Sequence, residues 1–202
     1  MTKRFGSGLA LGIVGTILVA IAMWLIVAYT GAYNVAASDQ HADAVRWTLD
    51  TTMRRSVERR SGNPGLPETF PAALVAEGAT HYAESCVHCH GAPGREPAEW
   101  SRGMRPEPPH LVDAAAEWTP EDIYWIVENG IRMSGMPAFG AHHGPEGIAA
   151  LTAFVTQLPG LSADDYRALT GGGPASLAQG APAAAPTPEA ATGGGAAPPS
   201  AD

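Results

Sequence analysis

The clearest chemistry in this chain lies in Cys86-Val87-His88-Cys89-His90. C-x-x-C-H is the attachment pattern for a c-type haem. Two thiols one helical turn apart can each add to one of the two haem vinyl groups. The histidine beside the second thiol then falls under the iron and supplies its imidazole as proximal ligand. These are the only two cysteines of the chain, so attachment leaves no stray thiol for an oxidising compartment. The cofactor expected is one haem c, covalently attached through Cys86 and Cys89, with His90 on the metal. A thioredoxin-like redox pair would need a βαβ setting, and no convincing strand pattern occurs. A structural zinc site would need two more ligands at finger-like spacing, whereas His142 and His143 are distant and sit together in a Gly-rich loop.

A second axial ligand is expected downstream, in Ile131-Arg132-Met133-Ser134-Gly135-Met136-Pro137. A thioether is a soft, neutral ligand that favours Fe(II) and raises the reduction potential. Gly135 permits close backbone approach, and Pro137 stiffens the loop that carries the sulfur. Met136 is therefore the candidate, and Met133, Met104, His142 and His143 are the competing donors. Arg102 and Arg105, in the loop after the motif, are candidates to pair with haem propionates, against the alternative of a solvated loop.

These residues must be positioned by helices. A helix is predicted from near Pro71, with Leu74, Gly78 and Tyr82 on one face. Thr119-Pro120-Glu121-Asp122 reads as an N-terminal cap: a capping Thr, Pro in the first turn, then acids. That helix should turn Ile123, Ile126 and Val127 inward and stop at Gly130. Another is expected from Gly144-Pro145-Glu146, with Ile148, Leu151, Phe154, Val155 and Leu158 at helical spacing. Ser162 begins a last short helix. The domain thus reads as all-α with long loops, spanning residues 66–170.

Ahead of it, Leu9 to Tyr29 forms an uncharged apolar run. A bilayer core of ~30 Å needs about 20 helical residues, and signal-peptide cores are only ~7–15 residues long. Residues 8–33 therefore read as an uncleaved transmembrane anchor, with Trp24, Tyr29 and Tyr33 as interfacial aromatics. Lys3 and Arg4 hold residues 1–7 in the cytoplasm by the positive-inside rule. The remainder is expected in the periplasm, attached to the inner membrane as a single-pass protein. Residues 38–65 form a juxtamembrane basic helix and linker, with Val45, Leu49, Met53 and Val57 in one stripe among five arginines. That helix either lies near anionic lipid or an acidic partner, or serves as a solvated connector.

The balance of 12 Lys+Arg against 20 Asp+Glu, net −8, argues against a nucleic-acid binder, which needs a basic face. Residues 1–60 carry net +3 and residues 71–170 net −8, which suits a partner with a basic docking patch. Residues 171–202 are mostly Ala, Gly and Pro without periodicity and are expected to be disordered.

Residues 70–170 resemble the class I c-type cytochromes, in particular small membrane-anchored ones. Cys86-x-x-Cys89-His90 and Gly135-Met136-Pro137 carry the resemblance, in the family's order. It implies a class I cytochrome c-like helical haem domain preceded by a single transmembrane helix. It also implies that an N-terminal helix crosses a C-terminal one through Gly78 and Tyr82 against Phe154. Pro108-Pro109-His110-Leu111 is similar to the family's proline turn, which implies Pro109 as acceptor of the proximal histidine's Nδ1–H and Leu111 packed on the haem. His90 and Met136 would be the metal ligands. The function implied is that of a membrane-tethered monohaem electron carrier with no catalytic residue and no small-molecule substrate. It would pass single electrons from a respiratory donor (a quinol-oxidising complex or a dehydrogenase) to an acceptor (a terminal oxidase or reductase). The alternatives are a fixed cytochrome subunit of a larger membrane complex, or an enzyme or gas sensor with an open iron site.

Overall fold

The computed structural model of the chain describes residues 2–171. The tail expected to be disordered lies outside the described residues apart from Gly171. The described residues are helical and contain no strand, only an isolated bridge between Ala92 and Arg95, as the all-α expectation requires.

Helix α1 spans Thr2–Thr30. Within it Gly8–Thr30, 23 residues, is long and apolar enough to cross a membrane: at 1.5 Å per residue it covers about 35 Å. Its apolar side chains from Leu9 to Tyr29 are exposed in the isolated chain. A helix apolar all round and unburied by protein suits a lipid environment. Thr16, the polar residue in mid-span, returns its hydroxyl to the Gly12 carbonyl at 2.9 Å, so it needs no outside partner. The helix stops earlier than the expected anchor boundary at residue 33. Gly31 takes φ +68°, a left-handed conformation that glycine adopts without strain.

Helix α2 spans Asp43–Arg60, starting five residues after Ser38. It is neither free of the following domain nor wholly solvated. Val57 is fully buried, and α2 packs on a later helix, α6 (Pro120–Asn129). Of the expected stripe, Val45 and Leu49 remain exposed and Met53 is half-buried, so only the carboxyl-terminal half of α2 is docked.

The domain that follows is built around one crossing. Helix α3 (Ala72–Ser85) packs mainly against α7 (Gly140–Val155), and α6 packs on α7 from another side. α3 turns Val75, Gly78, Ala79 and Tyr82 inward. Position i and its i+3 and i+4 neighbours share a helix face, so these four form one stripe. A Cβ on Gly78 would lie 1.9 Å from the Ala150 carbonyl oxygen. The backbones of α3 and α7 thus touch where α3 has no side chain. One turn on, Tyr82 and Phe154 pack with ring centroids 5.1 Å apart. α7 does not begin as one helix: Gly144 has φ +64° and kinks it, so the long apolar segment starts at Pro145, as its sequence suggested. Helix α4 (Val87–His90) and helix α5 (Leu111–Ala114) are single turns in the intervening loops. Helix α8 (Ala163–Leu169), capped by Ser162, closes the fold by burying Tyr166.

The cap of α6 takes the predicted form. Thr119 Oγ1 accepts from the Asp122 amide, and the Asp122 carboxylate accepts from the Thr119 amide at 3.2 Å. The same carboxylate also accepts from the Ser61 hydroxyl, at the end of α2. Burial alone would raise the Asp122 pKa, but the bonds from Ser61 and Thr119 outweigh it and hold the carboxyl below its ordinary value. A depressed folded pKa contributes stability that is present above the unfolded value and lost as pH falls through the folded one. Asp122→Asn should therefore lower stability at pH 7 by about 1 kcal/mol and flatten the loss of stability on acidification below pH ~4. Denaturant titrations across that range read both effects. A variant whose acid limb retains the wild-type slope would show that Asp122 does not carry it.

Candidate functional site

The Cys-x-x-Cys-His segment begins at Cys86, the junction of α3 and α4, and its other four residues form α4. Cys86 ends α3, its amide bonded to the Tyr82 carbonyl at 2.9 Å, and Cys89 and His90 both donate their amides to the Cys86 carbonyl, at 3.1 and 3.0 Å. One helical turn therefore separates the two sulfurs and carries His90 just beyond the second. Both cysteines are free thiols, and both are half-buried. Burial, and after it the neighbouring Cys89, pushes the Cys86 thiol up to about 12. Burial also raises Cys89. Val87, between them, is completely buried and pins the turn to the core.

Gly91 closes this turn. Its φ is +66°, and a Cβ there would lie 2.6 Å from His110 Nε2 and 2.9 Å from the Arg95 carbonyl oxygen. Both facts demand glycine. The buried Tyr82 hydroxyl donates to the Gly91 carbonyl at 2.7 Å, which ties α3 to the end of the motif. The sequence reading missed Gly91 and its contact with His110. The signal was present: a glycine directly after a short helical motif is a common stop.

His90 is oriented by a single bond. Its Nδ1–H donates to the Pro109 carbonyl at 2.8 Å. This fixes the ring plane and leaves Nε2 as the nitrogen with a free lone pair, as a metal-ligating histidine requires. Burial lowers the His90 pKa, the Pro109 bond opposes that, and the nearby His110 adds to the lowering. A neutral ring results, which is the ligating form. Leu111, two residues after Pro109, opens α5 and packs half-buried against the core.

Met136 also packs against that core, half-buried, and its loop is held at several points. Ile131 donates its amide to the Met136 carbonyl at 3.2 Å, and the Met136 amide donates to Ser134 Oγ at 3.2 Å. Gly130, the stop of α6, presses on the backbone of Pro137, where a Cβ would meet atoms at 2.6 Å. The Phe139 amide reaches back to Val127 at 3.1 Å. α6 thus sets the position of this loop. The competing donors lie elsewhere or differently. Met133 is 73 % exposed and left-handed at φ +62°. His142 is exposed, and His143 packs edge-on against His81, centroids 4.9 Å apart. Met104 stays close: its terminal methyl lies 1.8 Å from where a Gly135 Cβ would be.

The loop after the motif and the proline turn that follows it each carry one buried polar atom without a partner among the described residues, Arg105 Nε and His110 Nδ1. Arg105 spends another nitrogen on the Arg102 and Met104 carbonyls, at 2.8 and 2.7 Å, while Arg102 pairs with Glu96 at 3.1 Å. A buried guanidinium donor with nothing to bind is costly. An anionic group such as a propionate would satisfy it, so Arg105 fits that role better than Arg102. Free paired thiols, an oriented imidazole, a core-facing thioether and an orphaned buried donor all suit a covalently held haem. Among the described residues no group of three or more His, Cys, Asp and Glu converges as a metal cluster would, so the cysteine pair has no zinc-type partners there.

Comparison with known proteins agrees with this chemistry. Residues 73–155 match the family described as cytochrome c oxidase, cbb3-type, subunit III. The family matched is one of c-type cytochromes, which supports haem and iron binding and electron transport for that stretch. The stretch runs from the first residues of α3 to the end of α7 and so contains the motif, the proline turn and Met136. No curated protein and no solved structure matches the chain.

Proposed function

We propose that this chain is a membrane-tethered monohaem cytochrome c. In this reading it passes single electrons on the periplasmic side, from a respiratory donor such as a quinol-oxidising complex or a dehydrogenase to an acceptor such as a terminal oxidase or reductase. Cys86 and Cys89 would hold one haem c covalently, His90 and Met136 would ligate its iron, and Leu111 and Arg105 would face the group. Haem c, when bound, supplies an iron that changes by one electron between Fe(III) and Fe(II). The chain's own residues do the rest. The observation that carries the reading is the His90–Pro109 bond: an imidazole beside two free thiols is fixed in tautomer and direction by a carbonyl 19 residues away. With the Met136 thioether as second ligand, the chain itself would supply both ligands to the iron. That argues for a carrier rather than an enzyme or gas sensor, which would need an open position. The apolar α1, with Lys3 and Arg4 ahead of it, supports a domain outside the cytoplasmic membrane by the positive-inside rule, the compartment in which haem is attached to such motifs. The acidic domain favours donors and acceptors with basic docking surfaces, so electron delivery should weaken as salt rises.

A test needs only the full chain. On a denaturing gel it should retain haem peroxidase staining, and acid-acetone should leave the colour with the protein. Haem that extracts freely would overturn covalent attachment.

A second reading is that of a fixed cytochrome c subunit in a larger membrane oxidoreductase. The family description, which names an oxidase subunit, favours it. Solubilisation in mild detergent separates the two. A carrier runs alone, whereas a subunit co-purifies with its complex at fixed stoichiometry and stays bound at high salt.

A further inference from the structure

Helix α2 lies between anchor and haem domain, and its docking is more extensive than a connector needs. Three contacts join it to the segment 117–122, beside one buried aliphatic side chain. Val57 is fully buried, and α2 packs on α6. Arg54 pairs with Glu117 at 2.7 Å and lies over the Trp118 ring, 5.1 Å from its centroid. Ser61 donates to Asp122, the carboxylate that also caps α6. The Arg54 guanidinium is raised further by its Glu117 bond. An exposed ion pair alone contributes little. Here, however, the pair accompanies a buried aliphatic side chain, a cation–π contact and a hydrogen bond to a structural carboxylate.

We propose that α2 is a docked strut that sets the working radius of the haem domain above the membrane. With α2 bound to α6, only residues 31–42 link anchor and domain. Fully extended, those residues reach about 40 Å, and less in practice, because Tyr33 bonds His41 and Asn34 bonds Asp39 across this segment. With α2 released, its 18 residues add about 27 Å of helix. Residues 61–65 add ~17 Å more before Leu66 and Phe70, which pack on the core. The reach then roughly doubles. Effective concentration at a partner falls with about the −3/2 power of tether length once the tether exceeds the span. Docked α2 thus favours partners whose electron-transfer surface lies close to the bilayer. This rests on the reading of α1 as a membrane anchor.

The test uses the full-length haem-loaded chain with spin labels on non-natural residues at exposed Ala44 and Gln157, so that Cys86 and Cys89 are untouched. Pulsed dipolar spectroscopy in detergent and in bilayers should give one narrow distance distribution. Val57→Asp and Arg54→Glu should each broaden it at unchanged haem spectrum, and adding Glu117→Arg to Arg54→Glu should narrow it again. A broad wild-type distribution, or one that stays narrow in both single variants, overturns the strut. Flotation of the same protein with vesicles after alkaline carbonate treatment reads the anchor separately. A chain that fails to float while keeping its narrow distribution sinks the working radius through α1, not through α2.

Discussion

Met136→His should keep a six-coordinate, low-spin absorption spectrum while lowering the reduction potential by a few hundred millivolts, within the ~0.8 V that axial ligands span. The direction follows from ligand chemistry. A thioether favours Fe(II), whereas an imidazole donates more strongly and favours Fe(III). That the iron stays six-coordinate follows from the loop. Its backbone is held by Ile131, Ser134, Gly130 and Phe139, so a new side chain at 136 starts from the same place as the old one. Met136→Ala should remove the ligand and leave a site that takes carbon monoxide in the reduced protein. Redox titration and absorption spectroscopy read both variants.

Two controls locate the ligand. Met133→Leu should change nothing, because Met133 is exposed. Met104→Leu is the sharper control, because the Met104 methyl reaches the same loop at Gly135. If Met104→Leu lowers the potential and Met136→His leaves it unchanged, the second ligand is Met104.

What could be read in the sequence was what is local. The Cys86–His90 turn, the Thr119–Asp122 cap, the stop at Gly130 and the cap at Ser162 each draw on residues within four or five positions, where residue type alone fixes the geometry. The Gly78, Tyr82 and Phe154 crossing was legible only through resemblance, because nothing in a lone glycine says which distant backbone will approach it. The docking of α2 was not legible at all. Its stripe of Val45, Leu49, Met53 and Val57 is a valid helical face, yet only Val57 is fully buried. The contacts that decide this link residues 61 and 63 positions apart, Ser61 with Asp122 and Arg54 with Glu117. An arginine-rich helix after an anchor leaves anionic lipid, an acidic partner and a solvated connector all open until its acidic partner is placed. Gly91 was overlooked for a similar reason: its steric demand comes from His110, which returns to it from the proline turn.

Gly78→Ala should cost the domain about 2–4 kcal/mol, a large share of the ~5–15 kcal/mol that holds a typical domain. Helix propensity predicts the opposite sign, since alanine in a helix interior is favoured over glycine by about 1 kcal/mol. Sterics decide between them. The added methyl would sit 1.9 Å from the Ala150 carbonyl oxygen, 2.5 Å from its carbon and 2.9 Å from Phe154 Cβ. The first two are backbone atoms of α7 and cannot rotate away, so α3 and α7 must separate by an ångström or more. Overpacking of this kind costs about 1–3 kcal/mol and occasionally more. The separation also loosens the Tyr82–Phe154 contact one turn on and the Tyr82 bond to Gly91. Damage at the crossing therefore reaches the turn that carries His90, and haem incorporation should fall along with stability. Gly103→Ala is the matched control: a Cβ there meets nothing within 4 Å, and its effect should stay within about 0.5 kcal/mol. Denaturant unfolding followed by circular dichroism, with the yield of haem-stained protein, reads both variants. A Gly78→Ala domain as stable as the control would mean that the two helix backbones do not meet at this point.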